Sequence, residues 1–232
     1  DDRLAVIYTG NVKVDGQHDF IHTGREANVI RIDRYPDGTW SPKRLLLSWQ
    51  DYPSFCTRHV RDPKVWRQGH EWFMVTGARR QDDQGMVLLW RSDDGEQWHF
   101  KSVITSEKAF GYMWECPDLF RLDGHWFLSF SPQGVTREQN RRQNIYLSGY
   151  IPMKGGEAPR TAELDGDFVD WDYGFDFYAP QTFQTRDGRR ILFGWAGMAD
   201  ADAEYTVPTK AAGWQHLLTV PREVTLKQGR LC

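Results

Sequence analysis

Two acidic residues carry most of the chemistry that this sequence could perform. Glu115 lies in Trp114-Glu115-Cys116-Pro117-Asp118-Leu119-Phe120, between a tryptophan and a Cys-Pro pair, just ahead of a strand-like run. Asp62 follows Arg61 and precedes Pro63. Two carboxyl groups that flank a bond can divide acid and base work between them. Glycoside hydrolysis uses such a pair, and in its retaining form the two lie about 5–5.5 Å apart. The proton donor needs a raised pKa, which burial beside aromatic rings and a second carboxylate can supply. Glu115, flanked by Trp114, is the candidate donor. The Arg61 cation is expected to keep Asp62 ionised, able to accept hydrogen bonds from sugar hydroxyls and to stabilise positive charge on the ring. Each motif taken singly has a plainer reading. Asp-Pro is common in turns, and a Glu before Cys-Pro is usually a strand-edge charge.

Other chemistries find less support. His18 and His22 have ligand-like spacing, but that spacing needs a helix and their surroundings read as loop. Cys56, Cys116 and Cys232 are too scattered for a disulfide framework and form no Cys-x-x-Cys. No metal and no cofactor are therefore expected. Gly-x-Ser-x-Gly and phosphate-loop patterns are absent. The net charge of −3 offers no basic footprint for nucleic acid. No apolar run approaches membrane-spanning length. The 11 Trp, 9 Tyr and 13 Phe are mostly core by expectation, with some left to stack on sugar rings.

The elements that must position Glu115 and Asp62 read as all-β. Strand-like runs cover 4–9, 27–33, 45–49, 65–66, 72–76, 87–91, 98–103, 119–122, 126–131, 144–150 and 191–195, with Gly, Asp and Asn turns between them. Residues 152–166, rich in Gly, Pro and charge, read as an exposed loop or hairpin.

Set against itself, the chain repeats. Arg61-Asp62-Pro63-Lys64-Val65-Trp66, Glu115-Cys116-Pro117-Asp118-Leu119-Phe120 and Tyr178-Ala179-Pro180-Gln181-Thr182-Phe183 are each followed by a turn and an apolar strand. A unit of about four strands recurring at this spacing marks a β-propeller. Each proline is expected at the first residue of an innermost, edge-like strand. Equivalent positions of successive blades face one another around the axis. Arg61, Glu115 and Tyr178, and beside them Asp62, Cys116 and Ala179, should thus gather at a funnel-shaped pocket. Residues 4–10 resemble the second strand of a unit, so preceding sequence is expected. The units are 1–50 (a truncated blade), 51–110, 111–165 and 166–232.

The elements Tyr8-Thr9-Gly10-Asn11, Arg61-Asp62-Pro63-Lys64-Val65, Trp114-Glu115-Cys116-Pro117-Asp118-Leu119, the run from Gly174 to Phe183, Gly194-Trp195 and the run from Leu218 to Glu223 occur together and in order. This set closely resembles glycoside hydrolase family 32, which includes invertases, fructanases and bacterial sucrose-6-phosphate hydrolases. The resemblance implies a five-bladed propeller that cleaves β-fructofuranosides with retention, here as most of blade two and blades three to five. It implies Glu115 as acid/base, Asp62 as transition-state stabiliser, and Arg61, Tyr178, Trp195 and Trp114 as substrate-binding residues. The family's nucleophile is the Asp of a Trp-Met-Asn-Asp-Pro-Asn-Gly motif, which these 232 residues do not contain; a C-terminal β-sandwich is also expected elsewhere. The implied partners are sucrose, sucrose 6-phosphate or a fructan oligosaccharide, in a bacterial cytoplasm. A related arabinosidase propeller should lack the Arg-Asp-Pro and Glu-Cys-Pro pairing. A non-catalytic carbohydrate-binding piece remains the alternative from another class.

Overall fold

The computed structural model describes residues 2–154, 163–200 and 208–232. It is all-β apart from two short 3-10 turns, at Trp49–Asp51 and Pro208–Ala212. β1 (Leu4–Lys13), β2 (Arg25–Arg34) and β3 (Arg44–Leu47) form a three-stranded antiparallel sheet. β4 (Cys56–Gln68), β5 (Glu71–Arg80), β6 (Gly85–Ser92) and β7 (His99–Ile104) form the second sheet. β8 (Met113–Leu122), β9 (His125–Gln133), β10 (Gly149–Pro152) and β11 (Val169–Asp170) form the third. In the fourth, β12 (Tyr178–Gln184) pairs with β13 (Arg190–Ala196), which pairs at one end with β14 (Leu217–Leu218) and at the other with β15 (Arg222–Val224). Pro221, which lacks an N–H, falls between these last two short strands. A final hairpin joins β16 (Leu226–Lys227) to β17 (Arg230–Leu231).

Neighbours in sequence are neighbours in each sheet because tight turns join them. Asp123 and Gly124, with φ of 48° and 84°, have the two positive values of a type I′ turn, whose twist matches the strands it connects. Of the loop expected over 152–166, residues 155–162 lie outside the described residues. Its described ends pair as a hairpin, with the Lys154 N–H donating to the Glu163 carbonyl at 2.8 Å and the Asp165 N–H to the Pro152 carbonyl at 2.7 Å.

The sheets stack face to face around an axis, as propeller blades do, and the inner strands β4, β8 and β12 pack against one another. The described residues supply four such blades; the count of five belongs to the resemblance. Stacking explains why the middle strands read as unbroken apolar runs. In β5 and β6, Phe73, Val75, Val87 and Leu89 face the third sheet, while Met74, Ala78, Met86, Leu88 and Trp90 face the first. A strand buried on both faces has no polar side to alternate with. A third core joins Phe120, Phe127 and Tyr150 to Phe177, Leu192 and Val224. Among the described residues, no helix is long and apolar enough to cross a membrane.

One close approach sets the register between the second and third sheets. A Cβ on Gly77 would lie 1.9 Å from the Trp114 carbonyl oxygen, and one on Gly85 would lie 2.3 Å from the Trp114 ring. Gly77→Ala must push β8, and Glu115 with it, away from β5. Overpacking of this kind costs about 1–3 kcal/mol. The variant is expected to unfold at correspondingly lower urea, measured by chemical denaturation. An unchanged midpoint would mean that the sheets separate freely.

Candidate active site

The three inner strands share one distortion. Their pairing slips between Arg61 and Lys64, between Glu115 and Asp118, and between Tyr178 and Gln181. At each slip a non-glycine residue takes positive φ: Asp62 at 61°, Cys116 at 49° and Ala179 at 51°. Each is followed by the repeat's proline. The prolines are thus not first residues of strands, as the sequence suggested; they sit in β-bulges. A bulge already interrupts the ladder, so a missing N–H costs nothing there. Left-handed backbone at such residues costs of order 1–3 kcal/mol each and persists where the surroundings over-determine it.

Those surroundings are the neighbouring blades. The Asp62 N–H donates to Thr9 Oγ1 at 2.9 Å. The Cys116 N–H in turn donates to Asp62 Oδ2 at 2.9 Å, with Cys116 Sγ at 3.6 Å from the same oxygen. Gln181 Nε2 donates to the Cys116 carbonyl at 2.9 Å. The bulges at Asp62 and Cys116 are thus each satisfied by side chains of neighbouring blades, and Asp62 is fixed by the strand that carries Glu115.

The bulges bring Arg61, Glu115 and Tyr178 into contact. Glu115 Oε1 accepts from Arg61 Nε at 2.8 Å and from Arg61 Nη2 at 2.7 Å. Its Oε2 accepts from Gln133 Nε2 at 2.9 Å and from the Tyr178 hydroxyl. The Glu115 side chain keeps 14% exposure, enough for its carboxylate to meet a ligand. It opens onto a cleft of about 440 Å³ whose walls include Arg25, His59, Arg79, Tyr112, Gln133 and Tyr146.

Burial and charge set the ionisation states. Burial pushes the Asp62 carboxyl above its ordinary value, although the Cys116 N–H and the Arg61 cation pull the other way. The Arg61 cation acts in the expected direction, toward the ionised form of Asp62, but desolvation is the larger influence on its pKa. Burial, then the Glu115 charge and hydrogen bond, raise the Tyr178 hydroxyl, which stays a proton donor to Glu115. Burial works against the Arg61 cation, but Glu115 and Asp62 outweigh it and raise its pKa. Burial, then Arg61, lower Arg25, with Glu115 opposing.

Two expected substrate-binding residues are placed differently from the rest. Trp195 does not reach Glu115; it packs edge-on against Tyr178, with ring centroids 6.4 Å apart, and against His216 at 5.1 Å. Trp114 is 0% exposed in the core between the second and third sheets, stacked on Phe130 at 4.2 Å. Its Nε1 donates to the Phe110 carbonyl at 2.7 Å. The pleat turns it away from Glu115, so Trp114 has no face to offer a ligand and does not supply the aromatic wall expected beside the acid.

Sequence reasoning missed Gln133, His59 and Arg25. A signal for Gln133 exists: Ser129, Ser131 and Gln133 form a polar period of two within the apolar strand β9. His59 and Arg61 share the same alternation in β4. Asp118, in the same motif as Glu115, is 1% exposed beyond the bulge and accepts from the Thr182 N–H and hydroxyl, both at 2.7 Å. Asp176 is exposed on the approach to β12 and is not among the cleft residues. His18 and His22 lie in the loop between β1 and β2. Among the described residues no cluster of three or more His, Cys, Asp or Glu could hold a metal ion.

A model of the glycosyl hydrolases family 32 N-terminal domain matches residues 1–232. Sucrose-6-phosphate hydrolase of Bacillus subtilis is 40% identical over 237 residues, covering 100% of this chain and 47% of the relative. Raffinose invertase of Escherichia coli is 44% identical over 233 residues, covering 99% of this chain and 46% of the relative. The solved GH32 beta-fructofuranosidase of Bombyx mori superposes with a TM-score of 0.84 at 34% identity, covering 100% of this chain and 47% of that one. A variant of that enzyme has been solved in complex with sucrose. The chain spans about half the length of the curated relatives it matches. Matched by the family's domain from its first residue to its last, and built as the propeller that its sequence repeat implies, the chain belongs to glycosyl hydrolase family 32.

Proposed function

We propose that the protein containing this chain hydrolyses β-fructofuranosides with retention, and that Glu115 is its acid/base. One observation carries this reading. Glu115 stands at a cleft with its carboxylate gripped on one oxygen by Arg61 and on the other by Tyr178 and Gln133. In the first step a nucleophilic carboxylate attacks the anomeric carbon of the fructosyl unit. The bond to the leaving oxygen breaks, and the Glu115 proton passes to that oxygen. In the second step water attacks the same carbon and displaces the nucleophilic carboxylate, Glu115 takes the water's proton, and fructose leaves with its configuration retained. Asp62 holds fructosyl hydroxyls and faces the positive charge that develops on the ring. Arg61, Tyr178 and, behind it, Trp195 shape the pocket.

The nucleophile is the Asp of the motif absent from these residues, in a blade contributed from outside them. The other carboxylates of the cleft are engaged: Asp19 accepts three backbone N–H groups at 2.9–3.0 Å, and Asp200 accepts from the Tyr146 hydroxyl at 2.8 Å. The blades divide near residues 50, 110 and 165. The name of the Bacillus subtilis relative, sucrose-6-phosphate hydrolase, favours sucrose 6-phosphate or sucrose over fructan as substrate; a bacterial cytoplasm is the setting we assign with it.

The test uses the full-length protein on sucrose, sucrose 6-phosphate and levan, with the anomer of the released fructose followed by NMR. Release of the β-anomer first is expected, with sucrose or its phosphate preferred. The 232-residue chain alone is expected to give no turnover. Hydrolysis by the chain alone would overturn the placement of the nucleophile. Sugar binding without turnover by the full-length protein would favour a carbohydrate-binding role.

A further inference from the structure

Arg61 is the pivot of the site, and three of its nitrogens are committed. Nε and Nη2 face Glu115, and Nη1 lies 3.0 Å from His59 Nδ1. A guanidinium has donors only, so Nδ1 must accept. The other ring nitrogen, Nε2, lies 3.0 Å from the Phe20 carbonyl, which can only accept, so Nε2 carries the proton. The two partners together select one neutral tautomer of the imidazole. A protonated ring would lose its acceptor and set a cation against Arg61.

The far end of this strut is itself anchored. The Asp19 carboxylate ties down the N–H groups of Ile21, His22 and Thr23. The Arg58 N–H donates to the Ile21 carbonyl at 2.7 Å. Phe20 is thereby held at a φ of 54°, with its carbonyl aimed at His59. Asp19, Phe20 and Ile21 line the same cleft as Arg61 and Glu115.

We infer that His59 is a positioning residue: in its neutral, Nε2-protonated form it links the Phe20 loop to Arg61 and fixes the plane in which Arg61 grips Glu115. Three cations oppose its protonation, Arg61 on its own strand, Arg25 on β2 and Arg79 on β5, while the hydrogen bond to the Phe20 carbonyl favours it. Burial, the largest cause, acts with the cations, and the imidazole is lowered to about 4.

The inference rests on Glu115 being the acid/base, and its tests separate the two. Asn at position 59 keeps an acceptor near the place of Nδ1. Gln puts its amide near the place of Nε2 and leaves Arg61 Nη1 without an acceptor. In the full-length protein His59→Gln is expected to lower kcat on sucrose by about 10- to 100-fold, the value of a hydrogen bond to a charged group, with KM little changed. His59→Asn should stay within several-fold of wild type, although both variants lower the melting temperature. Equal loss of kcat in the two variants, in step with melting, would reduce His59 to a structural residue. A wild type inactive on every fructoside would sink the acid/base reading instead. Nitrogen-15 NMR of the imidazole then still decides on His59: a neutral ring protonated at Nε2 at pH 6 is expected, and an imidazolium or a proton on Nδ1 overturns the inference.

Discussion

Glu115→Gln in the full-length protein is expected to cut kcat on sucrose by about 10²- to 10⁴-fold, the usual contribution of a general acid/base. The substitution preserves shape and removes the transferable proton. It should also preserve the fold. The Gln carbonyl can still accept from Arg61 Nε and Nη2, which now meet Glu115 Oε1. Its amide then faces Gln133 and Tyr178, both donors to Glu115 Oε2. Gln133 can flip to present its carbonyl, and the Tyr178 hydroxyl can rotate to accept. A fructoside whose leaving group departs as a stable phenolate needs no proton in the first step. The variant should lose far less of that step on such a substrate than on sucrose. Near-normal turnover on sucrose would remove Glu115 from the acid/base role. Equal losses on both substrates would point to a binding role.

The convergence of Arg61, Glu115 and Tyr178 was legible because it rests on a repeat. Three prolines at equivalent positions mark three equivalent strands, and closure around an axis does the rest. The bulges were harder to see. Positive φ at Asp62, Cys116 and Ala179 has no glycine to announce it. At Asp62 and Cys116 it is held by tertiary hydrogen bonds that run from blade to blade. The same bulges hid most of β4. Only Val65 and Trp66 read as strand, whereas the strand spans Cys56–Gln68, since an extra residue breaks the alternation on which a strand reading depends. Trp114 was misplaced because adjacency in sequence is opposition in a pleated strand. The residue beside the acid was bound to face elsewhere, and Gly77 and Gly85 make the room that receives it.

Asp62→Asn separates architecture from chemistry at the second carboxylate. Asn tolerates left-handed backbone better than most residues, so the φ of 61° is no obstacle. Its carbonyl can accept the Cys116 N–H, which now bonds Asp62 Oδ2. The bulge survives and only the charge is lost. Burial raises the Asp62 carboxyl above its ordinary value, so the folded protein binds this proton more readily than the unfolded chain does. Stability from that group is fully present below the ordinary carboxylate pKa and is lost as pH rises through the folded value. At neutral pH the wild type therefore carries a cost that Asn lacks. The Asn variant should melt at or above the wild-type temperature at pH 7, and the difference should vanish in acid. Asp62→Ala should melt lower at every pH, since it leaves the Cys116 N–H without its acceptor, a loss of about 1–3 kcal/mol for a buried donor. Turnover should fall in both variants. In Asn the fall in kcat is expected at about 10²- to 10³-fold, the scale seen when a preorganised electrostatic partner of the transition state is removed. A stable Asn variant with wild-type kcat would make Asp62 a bulge cap and nothing more. A stable Asn variant that melts above wild type at pH 7 and yet loses kcat would show that the Asp62 charge itself is used.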